Sequence, residues 1–427
     1  MKLFNQLLNY KLYSFEYLTL ILFGILPISF IIGNALININ IVLIDLLLLF
    51  YSFKFKSWKW LKNDIFIYLV ILYCFLVLNS IFSYFVKFND DINGILRSIL
   101  FLKFIVLIFA FKILLQKKII LSLIYKFWLL IISIIVFDIF FEKTFGQNIL
   151  GNISPDGTRV ISFFKDELIV GAFTLCFGFT TVVFFLNQNN NKYYKIFFTL
   201  LFILIPISIF LSGERSNFIK SFMLFFFIII FIEKSKFFFN KKLLFTFFIS
   251  LIFIFLFINK NTYIKYTELF KRIEVAEKNS SIYKKFENIK YFAHYETAIS
   301  IFKNNIILGV GNKNFRKECG KDKYYKKQIK FTDSRCSTHP HQVHFEILSE
   351  QGLLGYTIIL YIMIFFLNDN LKIYRKKRNI GHLSNLIYLM LFFIPLLPGS
   401  GIFNTLSGSM FWIIFGLSSL NYESKNL

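Results

Sequence analysis

At 427 residues, with 56% hydrophobic, 20% aromatic and only 17% charged side chains and a mean hydropathy of +0.63, the chain is too apolar for a water-soluble protein, and a bilayer is the solvent that suits it. A formal charge of +24 invites a nucleic-acid partner, but apolar runs of about 17 to 20 residues recur along nearly the whole length and leave no soluble basic domain to hold one. Phenylalanine and lysine are so abundant that their totals say little, whereas the eight arginines are scarce enough for each position to count.

In chain order, apolar runs fall at about 18–34, 37–53, 65–86, 95–115, 119–141, 167–186, 194–211, 216–232, 243–258, 344–367, 383–397 and 402–420. The first lies behind Tyr10 and Tyr17, lacks a small-residue cleavage site and is followed at once by another, which predicts a signal anchor rather than a cleaved leader. Each run is close to the length with which a helix crosses about 30 Å of hydrocarbon. The expected fold is an all-α polytopic membrane protein of about twelve transmembrane helices, divided into nine spans over 1–258, one large helical loop over 259–343 and three spans over 344–427.

Short loops set the orientation through their lysine and arginine content. Lys54, Lys56, Lys59 and Lys62, then Lys117 and Lys118, Lys192 and Lys195, Lys234, Lys236, Lys241 and Lys242, and finally Lys372, Arg375, Lys376, Lys377 and Arg378 all fall in alternate loops. The intervening short loops at 35–40, 87–94, 212–215 and 398–401 hold only Lys87 and Arg215. Both termini are therefore expected in the cytoplasm and residues 259–343 on the far side. That loop carries 18 Lys and Arg against 8 acids, but loops longer than about 60 residues escape the rule. Within 263–304, Ile264, Leu269, Phe270, Ile273, Phe286, Ile289, Phe292 and Ile299 recur at near-helical spacing, which predicts two or three amphipathic helices lying on the membrane surface.

The topology places six arginines, Arg97, Arg159, Arg215, Arg272, Arg316 and Arg335, at or near the outer face, where positive charge is disfavoured. A planar guanidinium grips phosphate oxygens two at a time, so this placement fits a diphosphate-bearing ligand, with scattered structural ion pairs as the plainer alternative. Arg215 stands in SGERSNF, between two apolar runs with almost no loop around it; Glu214 beside it offers a local ion pair instead. Arg159 lies in GTRVISFFKDELIVG, where Asp166 and Glu167 are most simply charges favouring a helix N-terminus.

Three of the five histidines, His339, His341 and His344, crowd into the stretch from Cys336 to Tyr356. Pro340 keeps Thr338 and His339 extended, so His341 falls at the mouth of the tenth span, where a lone imidazole can serve as a general base. A metal is the weaker expectation, because no cysteine or carboxylate set accompanies the histidines at zinc spacing. Glu346 and Glu350 share a helix face, and first-turn helix stabilisation explains them better than catalysis. Cys74 and Cys176 sit inside apolar runs, while Cys319 and Cys336 flank a hydrophilic stretch and can pair if the loop faces an oxidising compartment.

Over about residues 155–360 these features resemble the O-antigen ligase and O-antigen polymerase family of bacterial envelope glycosyltransferases. His341, Gln342, Gly352 and Gly355 meet the family's histidine pattern, NNIILGVGNKNFRKEC with Gly309 and Gly311 looks like its glycine motif, SGERSNF looks like its arginine-bearing junction, and TRVISFFKDELIVG matches more loosely. The resemblance implies a GT-C-like enzyme of the bacterial inner membrane with a periplasmic active site. The reaction would be a metal-independent, inverting transfer from an undecaprenyl-diphosphate-linked glycan to a sugar hydroxyl, on a lipid A-core or on another lipid-linked glycan, with membrane lipids around it, no nucleic acid and no cofactor. By the same carry-over His341 activates the acceptor, Arg215 and Arg159 hold the diphosphate, and His339 belongs to the motif. Arg316 is an added candidate for substrate contact, and a Cys319–Cys336 disulfide would shape the loop between the motifs. Tyr295 and Glu296 stand where many members have tryptophan, and the loop from Phe315 to Thr338 is short and lysine-rich, which leaves ligase and polymerase open. A transporter or flippase for a lipid-linked oligosaccharide is the alternative, but it calls for repeats, broken helices and midplane polar residues. A scaffold with an interaction loop leaves the junction arginines unexplained.

Overall fold

Hydrocarbon offers no hydrogen-bond partner, so each apolar run must satisfy its own backbone, and the α-helix is the single-segment way to do so. The computed structural model describes residues 14–86, 92–155, 157–165, 167–188, 191–233, 236–237, 239–258, 262–264, 266–267, 289–327, 331–399 and 401–420. Its helices fall on the apolar runs: α1 Ser14–Ile32, α2 Asn34–Lys54, α3 Asp64–Val86, α4 Asn93–Leu114, α5 Lys118–Phe145, α6 Val170–Gln188 and α7 Lys192–Leu211. Then come α8 Arg215–Phe231, α9 Lys241–Ile258, α10 Lys290–Asn304, α11 Val343–Lys377, α12 Ile380–Phe392 and α13 Thr405–Ser418. Among the described residues there is no strand, and eight helices are long and apolar enough to cross a membrane unaided. α12 and α13, at 13 and 14 residues, fall short of that length. The chain is an all-helical integral membrane protein.

Contacts between loops show which ends of the helices lie together. Val160 N–H donates to Ser212 O at 3.2 Å, Asn312 Nδ2 reaches Ser98 Oγ at 3.0 Å, Arg97 Nη1 reaches Thr405 Oγ1 at 3.3 Å, and Gly399 N–H donates to His341 O at 2.7 Å. The segments preceding α4, α6, α8, α11 and α13 therefore share one end of the bundle. At the opposite end Lys117 pairs with Glu16, and Lys236 Nζ donates to Asn187 O at 3.1 Å. This alternation is the one predicted from the lysine-rich loops.

Within the large loop α10 packs against α11 and buries Ala293, Ala298 and Ile301. It does so because its apolar positions meet Val310, Phe315 and Tyr324 in a small second core. The rest of that amphipathic pattern, with Leu269, Phe270, Ile273 and Phe286, lies outside the described residues, as do Asp166 and Arg272. The tenth span is not a simple rod, because α11 runs for 35 residues and breaks at Gly352 (φ 64°, ψ −167°).

Candidate functional site

The break in α11 is filled by the glycine motif. Val310 and Gly311 N–H donate to Ser349 and Glu350 O at 3.0 and 2.8 Å, while Leu353 and Leu354 N–H donate to Ile306 and Ile307 O at 2.7 and 3.2 Å. The chain from Ile306 to Gly311 thus takes over hydrogen bonds that α11 gives up at its kink, which answers the demand that buried backbone groups be paired. Such close backbone approach leaves no room for side chains. A Cβ on Gly309 would stand 2.6 Å from Gln351 N, and one on Gly352 would collide with Ile307 O and stand 2.6 Å from Gly309 N. Both glycines also adopt positive φ, and the spacing of the two motifs in sequence is a record of this crossing. α3 holds the crossing from behind: Asn79 Nδ2 donates to Leu308 O at 2.9 Å and to Gln351 Oε1 at 3.0 Å, and Ser83 Oγ donates to Val310 O.

Glu346 and Glu350 were expected to stabilise the first turn of the tenth span, and they do something else. Gln342 caps α11, its Oε1 accepting from Phe345 N–H at 3.0 Å. Glu346 forms a buried ion pair with Lys313 Nζ at 2.6 Å, and Glu350 accepts from Lys313 and Phe315 N–H at 2.8 and 3.3 Å. Both carboxylates therefore fasten the turn after the glycine motif onto α11, because their side chains face that turn rather than the helix end.

Above this platform sits the histidine turn. His341 has φ +57°, an uncommon conformation for a residue with a side chain, and its carbonyl is fixed by Gly399. Its Nε2 lies 2.9 Å from Ser337 Oγ, and its ring centroid lies 4.3 Å from that of His339 and 5.3 Å from that of His294. His339 is buried, with Nδ1 3.0 Å from Thr338 Oγ1 and no hydrogen-bond partner at Nε2. Burial holds its imidazole below the usual range; Glu346 pulls it up, and Lys313, His294 and Arg316 push it down. His344 faces away: its Nδ1, 3.0 Å from Tyr356 OH, spans the kink within α11, and its Nε2, 2.8 Å from Phe393 O, joins α11 to the chain after α12. Among the described residues, no three His, Cys, Asp or Glu side chains are grouped to hold a metal ion.

The arginine junction is built separately. In the last turn of α5 the Glu142 carboxylate accepts from Ile161 and Ser162 N–H at 3.0 and 2.7 Å, and Val160 N–H reaches Ser212 O. These bonds lay Arg159 across Gly213, where a Cβ would stand 3.4 Å from Arg159 Cγ and 3.1 Å from Thr158 O. Arg215 opens α8, close enough to Tyr266 for its charge to act there, and Arg159 acts likewise on Glu214. Glu214 accepts from Gly171 and Ala172 N–H at 2.6 and 3.2 Å and from Asn217 Nδ2 at 2.5 Å. Glu214 therefore covers the N-terminus of α6, the role expected of Asp166 and Glu167.

Residues 393–404 and α8 link the two clusters. Ile394 O accepts from Gln342 Nε2 at 3.4 Å, Gly401 packs directly on the Glu346 carboxylate, and Gly399 holds His341. Lys220 of α8, one and a half turns below Arg215, would stand 3.3 Å from a Cβ on that same Gly399. The structure thus links His341, His339, Gln342, Gly309, Gly311 and Gly352 through α11 and the turn after the glycine motif, sets Gly355 against Phe75 of α3, and holds Arg159 and Arg215 at a separate junction that reaches the histidine turn through Lys220 and Gly399. Arg316 is exposed on the short helix Phe315–Glu318, within electrostatic reach of His339. Arg335 instead serves the loop, donating to Cys319 O at 2.9 Å and Gly320 O at 3.1 Å.

Cys319 and Cys336 are joined as a disulfide with Cα atoms 5.4 Å apart, so the segment between the glycine and histidine motifs closes on itself. Glu318 braces the same segment: burial raises its carboxyl, but hydrogen bonds from Lys321, Lys323 and Tyr324 outweigh that and leave it below the usual range. Maleimide labelling of unreduced protein is expected to leave both cysteines unmodified, and labelling of both without reductant would remove the bridge from the mature protein.

Sequence reasoning passed over His294, Lys220, Gly399 and Gly401. His294 is buried, with Nδ1 2.9 Å from Arg335 O, and only the folding of α10 onto α11 brings it near His341. The scarcity of histidine was the one signal that pointed to it.

A search of curated proteins finds no match. The family model for O-antigen ligase (Wzy_C) matches residues 199–360, from the middle of α7 to the middle of α11, a stretch that contains the arginine junction at α8, the glycine motif and the histidine turn. Over that stretch, which is less than half of the chain, the sequence is similar to the O-antigen ligase family.

Proposed function

We infer that the protein is a membrane glycan-transferring ligase or polymerase, the coarse activity that the family match supports. We propose that the donor is an undecaprenyl-diphosphate-linked glycan and that transfer occurs on the periplasmic face of the bacterial inner membrane, with both termini in the cytoplasm. The acceptor is a sugar hydroxyl, either of a lipid A-core or of another lipid-linked glycan. In the reaction the acceptor oxygen attacks the anomeric carbon, the bond from that carbon to the diphosphate breaks, and the diphosphate leaves with the electron pair. His341 Nε2 takes the acceptor proton. The diphosphate is a good leaving group once its charge is held, so fixed cations and one base suffice, rather than the two opposed carboxylates of a glycoside hydrolase. Arg215 and Arg159 supply the cations, and Arg316 contacts substrate near His339.

The observation that carries this reading is the hydrogen bond from Gly399 to His341, because it sets the histidine turn against the helix that begins with Arg215. A broken helix is also a transporter feature. Here, however, the backbone groups freed at Gly352 are taken by residues 306–311 and not left for a cargo.

Full-length protein in liposomes, given an undecaprenyl-diphosphate-linked glycan and a core or lipid-linked acceptor, is expected to release undecaprenyl diphosphate. Arg215→Lys keeps the charge but loses the two-pronged grip, about 1.5–3 kcal/mol for one charge-assisted bond, and is expected to slow release roughly ten- to hundred-fold. No release by the unaltered protein with either acceptor sinks the reading; an undiminished rate in Arg215→Lys sinks the assignment of that residue.

A further inference from the structure

α8 is apolar below Asn217 except at one place. Lys220 is followed by twelve residues without a charge, and it is only 6% exposed. A buried ammonium needs a partner, since the apolar surroundings penalise its charge and give back nothing. Among the described residues it has neither an ion pair nor a hydrogen bond; its interaction is with the face of Phe392, 4.8 Å from Nζ to the ring centroid. A ring face attracts a cation but leaves its N–H groups unanswered. Nor is Nζ among lipid-facing side chains: it lies against Gly399, where the missing side chain keeps the space beside the amine open, and Gly399 is only half-buried. Lys220 thus stands between the junction that opens with Arg215 and the turn that carries His341.

We propose that Lys220 binds a phosphate oxygen of a lipid-linked diphosphate, as a third cation beside Arg215 and Arg159, at the end of the anion nearest His341. This rests on the function proposed above and adds a residue to it. Lysine suits this position because a single ammonium on a flexible stem needs only one oxygen and little room, whereas a guanidinium would fill the gap left by Gly399. The shared chemistry is that of a lipid phosphate, so an anionic phospholipid headgroup is the competing occupant.

The test uses full-length protein in nanodiscs, with undecaprenyl diphosphate as the probe and Lys220→Met and Lys220→Gln as variants. In discs of neutral phosphatidylcholine, Lys220→Met is expected to bind the diphosphate at least ten-fold more weakly. Its melting temperature without the diphosphate should be equal to or above that of the unaltered protein, because an unpaired buried charge has been removed. Lys220→Gln, which keeps length and polarity, is expected to lose affinity to the same extent. Equal affinity in the unaltered protein and both variants overturns the assignment of Lys220 and leaves the proposed function standing. Absence of diphosphate binding by the unaltered protein overturns both. If phosphatidylglycerol in the discs protects the unaltered protein and neither variant, while diphosphate affinity is the same in all three, the residue holds a phospholipid headgroup and the proposal fails.

Discussion

Replacing His341 by alanine is expected to lower the rate of glycan transfer by roughly a hundred- to ten-thousand-fold, the range that a positioned general base contributes, with the protein still folded in the membrane. The expectation follows from an Nε2 already at hydrogen-bond distance, 2.9 Å, from a hydroxyl oxygen, Ser337 Oγ, on a ring whose backbone is pinned by Gly399. Because His341 sits at φ +57°, alanine also carries a backbone cost, so the cleaner comparison is His341→Asn, a residue that tolerates the left-handed region. Both variants should fail in transfer while retaining diphosphate binding, since the arginines and not the imidazole hold the anion in the proposed site. His344→Ala provides the contrast: it removes hydrogen bonds to Tyr356 and Phe393 and should lower thermal stability before it alters the rate of what remains folded. Transfer by His341→Asn within a few-fold of the unaltered rate would end the role of His341 as base.

Gly352→Ala is expected to be the most damaging single-carbon change in the described chain. The backbone there, φ 64° and ψ −167°, lies in a region open essentially to glycine alone, and forcing another residue into it costs about 1–3 kcal/mol before any contact is counted. The added carbon then collides with Ile307 O and Gly309 N, so the strand of chain that fills the kink has to withdraw. Four backbone hydrogen bonds depend on that strand, each buried group left unpaired costing about 1–3 kcal/mol. Little folded protein should be recovered from membranes, as followed by size-exclusion chromatography of a fluorescent fusion. Gly320→Ala, whose added carbon meets only Lys317 O at 3.6 Å, is the matched control and should be recovered normally. Equal recovery of the two variants would show that the crossing at Gly352 is not what holds α11.

The spans were legible because partition into hydrocarbon depends on the length and apolarity of a segment, both of which are local. Alternation of the lysine-rich loops was legible for the same reason, and the loop-to-loop contacts follow it. What could not be read were arrangements in which one segment completes another. A glycine at 352 signals a break but not that Ile306–Gly311 fills it, since those hydrogen bonds join residues about forty positions apart or more, from Val310 to Ser349 and from Ile306 to Leu353. Glu346 and Glu350 carried the ordinary signature of a helix start, yet Lys313 and its neighbours claim both carboxylates. Glu214 was weighed as a partner for an adjacent arginine, whereas its carboxylate accepts two backbone N–H bonds from the start of α6, forty-odd residues away in sequence. His294 lies in a helix that looked like a lipid-surface element, and only its packing on α11 gives it a place beside His341.

The braces from α3 bear on what the family-matched stretch can do alone. Asn79 and Ser83 lie more than a hundred residues before residue 199, yet they carry the carbonyls of Leu308 and Val310 on their side chains. Evolutionary unit and folding unit therefore have different borders here: a fragment cut to the inherited segment would expose the very strand that seats the histidine turn. Divergence in the early helices is bounded accordingly, because a polar residue facing this crossing near the C-terminal end of α3 cannot drift to leucine without unseating a motif that lies elsewhere in the gene.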